Sequence, residues 1–229
     1  SINEYKGKHF GEVIWVRSAS QSEIGDRYYE NDAKKNEISS YLRGNYKIKK
    51  INAYLDLQVR NINYSYLGFD ESFGNLVELQ QNISFTFFNP KAGFSYKIND
   101  KSNLYASYAV ANREPVRTDF INSSPQSRPK AENLQNLEVG YKYQHKKFFS
   151  NLNYYLMNYN DQLILSGEIN DVGAYNRINV DKSYRMGVEL EFGYMINKKL
   201  SVSGNLMLSS NKIKEFNEYI DNYDNYDID

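Results

Sequence analysis

The chain has 229 residues, and its 28 Lys plus Arg are balanced by 28 Asp plus Glu, so it lacks the net positive charge that attracts nucleic acid. It has no cysteine, which excludes disulfide scaffolds, thiol catalysis and cysteine-based zinc sites. No run of about 18 uninterrupted apolar residues is present, which excludes a transmembrane helix.

Alternating residues predict about nine β-strands along the chain. In INAYLDLQVR, residues 51 to 60, the apolar residues Ile51, Leu55 and Val59 share one parity, whereas Asp56 has the other. Because successive side chains of a strand point to opposite faces, this strand has one apolar and one polar face. The 22 Tyr and 12 Phe favour such strands. Seven of the predicted strands lie near 9–17, 34–47, 50–64, 85–98, 132–144, 184–196 and 200–208, and the other two precede the connections that begin near 112 and 160.

Short polar breaks alternate with long connections between these strands. The breaks lie near 47–50, 99–101, 144–147 and 197–199, and the long connections near 18–33, 65–82, 112–131, 160–182 and 210–229. Such alternation is typical of outer-membrane barrels, which have short periplasmic turns and longer external loops. Soluble sandwiches usually keep both sets of loops short. We therefore predict an all-β fold in which residues 1–229 are part of a single antiparallel transmembrane β-barrel domain, arranged as a meander.

The chain is expected to be a piece of a larger barrel. Barrels of single bacterial chains have an even number of strands, so about nine strands would leave an open edge. Two further features point the same way: the sequence begins at Ser1 with no Met and no basic or apolar region of a signal peptide, and it stops in a polar run with no returning strand. Pro90 lacks a backbone donor and predicts a strand end, an edge or a bulge.

Several segments resemble the barrel region of TonB-dependent outer-membrane receptors. They are FNPKAGFSYKI (88–98), LYASYAVANREPVRTDF (104–120), PKAENLQNLEVGYKY (129–143), YYLMNYNDQLILSGEINDVGAYNRIN (154–179) and DKSYRMGVELEFGY (181–194). The resemblance implies a larger protein, with a 22-strand barrel that is plugged by an N-terminal globular domain. This sequence contains neither the plug domain nor the final strands. The resemblance also implies a cell outer-membrane location, contact with outer-membrane lipid, a TonB complex acting through the missing plug, and uptake of a scarce nutrient, most often a ferric siderophore or other iron complex.

Four charged residues at the start of the connection near 112–131 are candidate ligand-binding residues: Arg113, Glu114, Arg117 and Asp119. Guanidinium groups bond oxyanions through paired donors, so the two arginines suit a ferric chelate or a phosphorylated ligand. The structural alternative is that these charges pair with each other or with the barrel wall and hold the loop in place.

A set of tyrosines is a second candidate for ligand contact. The set comprises Tyr64, Tyr66, Tyr154, Tyr155 and Tyr159. Stacking on an aromatic ligand is one interpretation, and placement at the membrane interfaces, where Tyr is favoured, is the other. Strand parity sends one ring of the Tyr154–Tyr155 pair outward and the other inward, so only the inward ring could contact a ligand.

No constellation for catalysis, metal or cofactor binding is recognisable. His9 and His145 lie far apart, and the chain has no GxSxG motif and no glycine-rich phosphate loop. The aspartates at 221, 224, 227 and 229 lack the ligand series of a calcium-binding EF-hand and are interpreted as an external loop. We therefore expect no enzyme activity, although an outer-membrane hydrolase stays open. A passive outer-membrane channel and a soluble β-rich binding or adhesion protein also stay open.

Overall fold

The computed structural model describes residues 1–16, 23–72, 75–121, 128–169 and 175–216, apart from the side chains of 70–79, 121, 167–169 and 175–176. Its strands are β1 (Ile2–Glu12), β2 (Arg27–Ile48), β3 (Ile51–Ser72), β4 (Asn75–Asn99), β5 (Ser102–Arg113), β6 (Glu132–His145), β7 (Phe148–Ile169), β8 (Tyr175–Asn197) and β9 (Leu200–Ile213). One short helix, α1 (Arg117–Ile121), follows β5. Among the described residues no helix has both the length and the apolar character needed to cross a membrane.

The nine described strands form one sheet in the order β1 to β9, so every strand lies beside its neighbour in sequence. Strands β5 and β6 pair antiparallel without a register shift, from Ser102 opposite Tyr143 to Arg113 opposite Glu132. The predicted antiparallel meander of about nine strands is confirmed. The first strand is displaced from its predicted position at 9–17, because β1 spans Ile2–Glu12.

Two-residue turns join β2 to β3, β4 to β5, β6 to β7 and β8 to β9. Each turn falls within one of the short polar breaks of the sequence. Asn99 and Asn197 each use Oδ1 to accept a hydrogen bond from the backbone N–H two residues later, at 2.8 Å. Such side-chain bonds imitate a backbone turn, which explains why asparagine precedes two of these lysine-rich turns.

Several of the predicted long loops are shorter than expected. Most of 65–82 and 160–182 is strand, because β3 and β4 are separated only by residues 73–74 and β7 and β8 only by 170–174. The connection predicted near 18–33 ends where β2 begins at Arg27, and β9 continues into the connection predicted near 210–229 as far as Ile213. The connection near 112–131 keeps its predicted extent, with α1 inside it.

The missed strand extensions follow from a change in the phase of alternation. Along β3 the exposed apolar residues up to Val59 are odd-numbered, whereas the buried residues Ile62, Tyr64 and Tyr66 are even-numbered. Asn61 and Ser65 are odd-numbered like the apolar residues before them, but they are polar. The predicted strand at 50–64 ends shortly after this change of phase, and the rest of β3 was interpreted as a loop.

The chain divides into two compact units, of which the first comprises residues 1–40, 59–87 and 169–174. Its buried apolar side chains are Ile62, Tyr64, Tyr66, Ile83 and Phe87. On the other face of its strands, Asn61 Nδ2 donates to Thr86 Oγ1 at 3.0 Å and Ser84 Oγ donates to Asn63 Oδ1 at 2.6 Å. Along these parts of β3 and β4, one face is therefore buried and apolar, and the other face is polar.

The second unit comprises residues 41–58, 88–168 and 175–229, and its described part has the opposite arrangement. Its apolar parity is exposed on every strand from β2 to β9, as shown by Leu42, Leu55, Phe94, Leu104, Val139, Leu152, Val188 and Leu206. The other parity is polar, and there Arg43 makes a paired ion bond to Asp56 with N–O distances of 2.7 and 2.9 Å. Since all nine described strands lie in one sheet, no second described sheet covers the apolar face. This is the surface expected of strands that contact lipid.

Candidate functional site

The connection between β5 and β6 carries the predicted ligand-binding charges. The connection is flanked by Arg113, the last residue of β5, and Glu132, the first residue of β6. These two residues lie directly opposite each other in the sheet. The Arg113 guanidinium donates to the Glu132 carboxylate through Nη2. Glu132 is buried, whereas the Arg113 side chain is 64% exposed. This pair closes the base of the connection and leaves much of one guanidinium group accessible.

Asp119 stabilises the loop backbone. Its Oδ2 accepts a hydrogen bond from the Val116 N–H at 2.8 Å, and its own N–H donates to the Val116 carbonyl at 3.0 Å. Its Oδ1 lies 3.8 Å from Nη1 of Arg177 on β8. The Asp119 side chain is only 6% exposed, so these bonds replace water around the carboxylate.

The remaining two predicted residues, Glu114 and Arg117, are half-buried, and both interact with other groups. Pro115, which lies between them in sequence, and Phe120, which follows them, are fully buried. Apolar burial and the Asp119 bonds therefore fix the described part of this connection. Whether the four charged residues bind a ligand stays a prediction.

Asn179 of β8 holds the second half of the connection and was not singled out in the sequence. Its Oδ1 accepts from the Lys130 N–H at 2.7 Å, and its Nδ2 donates to the carbonyls of Lys130 at 3.1 Å and Asp161 at 2.6 Å. The Lys130 ammonium lies 3.4 Å from the Asp161 carboxylate. A lone asparagine in a segment interpreted as a loop gives no sequence signal of this role.

A chain of amide side chains crosses five strands close to the base of this connection. It links Gln58, Asn89, Asn112, Asn133 and Asn160 through successive hydrogen bonds of 3.1, 2.8, 2.8 and 3.4 Å. The Asn89 carboxamide also accepts from the backbone N–H of Asn112 at 3.0 Å. The last backbone pair of β4 and β5 on this side is Lys91 opposite Ala109, because Pro90 supplies no donor. Asn89 Oδ1 thus supplies an acceptor for the Asn112 N–H beyond the last backbone pair of β4 and β5.

The predicted tyrosines lie in different surroundings. Tyr154 is exposed on the apolar face, and Tyr155 lies beside Gly187 on the polar face. The Tyr159 ring lies 5.4 Å from the Arg185 guanidinium.

Tyr64 and Tyr66 belong to the first unit and are only 9% and 3% exposed, so the membrane-interface interpretation is wrong for them. Their rings stack with centroids 5.9 Å apart. The Lys35 ammonium lies 5.1 Å from the Tyr64 ring.

The family of the protein is shown by its sequence. A family model described as "TonB dependent receptor-like, beta-barrel" matches residues 5–228, almost the whole chain. The chain belongs to the TonB-dependent receptors. This is an outer-membrane family whose members are receptors and transporters, and the open nine-stranded sheet is a part of such a receptor barrel. No curated protein sequence matches the chain.

Solved structures of TonB-dependent receptors share the fold of this receptor segment. The ferric-catecholate import receptor Fiu from E. coli is 17% identical, with a TM-score of 0.68 over 95% of this chain and 35% of its own. The ferric yersiniabactin uptake receptor FyuA from Yersinia pestis is 15% identical, with a TM-score of 0.62 over 81% of this chain and 29% of its own. The copper transporter OprC is 12% identical, with a TM-score of 0.56 over 93% and 43%. The chain therefore spans less than half the length of these proteins.

Proposed function

We propose that this chain forms barrel wall and external loops of an outer-membrane receptor that imports an iron complex, a ferric siderophore above all. The observation that carries the proposal is the family match over residues 5–228. The exposed apolar face of the second unit supports contact with outer-membrane lipid. The names of Fiu and FyuA, a ferric-catecholate import receptor and a ferric yersiniabactin uptake receptor, favour iron complexes as the ligand class.

The proposed orientation places the two-residue turns in the periplasm and the β5–β6 connection outside. Arg113 and Arg177 then present partly exposed guanidinium groups to a ligand that carries oxyanions. Asp119 holds the backbone of the adjoining β5–β6 connection and contacts Arg177. Energy comes from the TonB complex, which acts in this family through an N-terminal plug domain that precedes the barrel.

The transport proposal is tested with the full-length receptor in a strain that depends on it for iron. Uptake of radiolabelled iron from a panel of ferric chelates is measured with and without a functional TonB complex. We expect uptake of at least one chelate, and we expect its loss without TonB. Uptake that persists without TonB would show a passive channel instead.

Arg113 provides the residue-level test. In Arg113→Gln the receptor loses one charge-assisted bond to the ligand, so chelate affinity should fall on the order of ten-fold. The matched control is Arg43→Gln, which removes the same charge from the ion pair with Asp56, away from the β5–β6 connection. Isothermal titration with the ferric chelate measures both variants. Equal affinities in Arg113→Gln and the wild type would remove Arg113 from the ligand site.

A further inference from the structure

The two-residue turns of the second unit and their flanking residues are strongly basic. The segments 47–50, 97–101, 144–147 and 197–199 contain three, two, two and two lysines, and Asp100 is their one acidic residue. All nine lysines are exposed. The Lys97 ammonium lies 2.6 Å from the Asp100 carboxylate, which holds the pKa of Asp100 below its ordinary value. A chain with equal numbers of acidic and basic residues thus has a concentrated positive charge at its tight turns.

Two of these lysines occupy backbone conformations that disfavour them. Lys49 and Lys146 have φ values of 51° and 29°, in the left-handed region. Glycine adopts this region at lower cost and is the usual residue where only the first central position of a two-residue turn has positive φ. Local turn geometry therefore does not explain why lysine is present.

The turns directly adjoin the exposed apolar face. Ile48, Ile51, Ile98 and Leu200 lie one or two residues from a turn and are all exposed. The exposed rings nearest the turns are Tyr46, Tyr96, Phe148 and Tyr194. Aromatic side chains at the edge of an apolar band mark the level of lipid headgroups. The lysines are therefore placed at, or just beyond, the headgroups of one leaflet.

We propose that the four turns form a basic rim that binds the phosphate groups of anionic phospholipids in the leaflet that they face. Each lysine near an anionic membrane surface contributes attraction that decays within a Debye length. The proposal rests on the proposed function only for the membrane location of the sheet. It does not depend on the imported ligand, which belongs to the opposite ends of the strands.

The test compares two variants of the full-length receptor that each lose two positive charges. The turn variant is Lys49→Gln with Lys146→Gln. The control is Lys91→Gln with Lys142→Gln, because these ammonium groups lie 5.9 and 5.0 Å from the rings of Tyr54 and Tyr105, on the polar face of the same sheet. Native mass spectrometry of the purified receptor titrated with phosphatidylglycerol or phosphatidylcholine measures the apparent Kd of each lipid.

We expect the wild type to bind phosphatidylglycerol more tightly than phosphatidylcholine. The turn variant should bind phosphatidylglycerol on the order of ten-fold more weakly than the wild type. The control should keep the wild-type affinity. Equal binding of both lipids by the wild type, wild-type affinity in the turn variant, or an equal loss in the control would each overturn the proposal. Displacement of the lipid by an equal concentration of free glycerophosphate, or turn-dependent binding to peptidoglycan fragments alone, would also overturn it.

A second variant separates charge from turn geometry. Lys49→Gly with Lys146→Gly removes the same charges and relieves the left-handed backbone, so we expect equal or higher thermal stability together with weaker phosphatidylglycerol binding. Wild-type lipid affinity in this stable variant would show that the lysines do not bind lipid. Ferric-chelate binding is measured on the same samples and should stay unchanged, so failure of the iron proposal and failure of the lipid proposal give different results.

Discussion

Gly140 of β6 illustrates how single residues shape the polar face of the sheet. The Tyr105 ring from the neighbouring strand occupies the space where a Cβ of residue 140 would be. The Tyr105 hydroxyl donates to Asn153 Oδ1 at 3.0 Å, which resists movement of the ring. We therefore expect Gly140→Ala to destabilise the folded receptor by about 1–3 kcal/mol through overpacking. Urea titration of the refolded protein in lipid measures the change.

Gly44 of β2 provides the control for this prediction. A Cβ at Gly44 would meet no atom closer than the Leu55 carbonyl oxygen at 4.0 Å, so Gly44→Ala should leave stability nearly unchanged. Equal effects of the two substitutions would show that the Tyr105 ring is not held against Gly140. The sequence places both glycines in strands, but it does not distinguish them, because the ring that fills the space belongs to another strand.

At the scale of elements, Asn179 connects strand β8 to the β5–β6 connection. Asn179→Ala removes three hydrogen bonds and leaves the Lys130 N–H and two carbonyls without this partner. We expect faster amide exchange at residues 128–131 and a loss of about 1–3 kcal/mol of local stability. Hydrogen–deuterium exchange followed by mass spectrometry measures the effect. Asn103→Ala, at an exposed position of β5, is the control. Equal exchange in both variants would contradict the role of Asn179 in holding the β5–β6 connection.

Strands whose apolar and polar residues alternate strictly were predicted correctly from the sequence. Alternation in INAYLDLQVR and in residues 184–196 predicted strands with the correct exposed parity, because apolar and polar residues are sorted strictly there. The extensions of β3 and β7 were missed, since their alternation continues in a different phase or with weaker contrast. Among the candidate ligand residues, Arg113 and Asp119 pair with Glu132 and Arg177, partners that spacing alone does not reveal.

For the whole molecule, the decisive property is what the apolar face contacts. Leu206 of β9 is exposed on this face, and its neighbour Asn205 has the polar parity. If the face contacts hydrocarbon, Leu206→Arg should destabilise the receptor in lipid by about 2–4 kcal/mol. Asn205→Arg adds the same charge on the polar face and should cost much less. Denaturant unfolding of both variants in lipid vesicles measures the difference, and equal costs would contradict a lipid-facing band.

The amino-acid sequence by itself determined the strands, their tight turns and which parity is apolar, because these depend on local alternation and turn chemistry. It also carried the family resemblance. Only the tertiary structure decided which charges pair across strands, which glycines accept a ring, and that the second apolar parity of β3 is buried. Those features depend on side chains that are distant in sequence and become neighbours through strand register, and the register is a property of the assembled sheet.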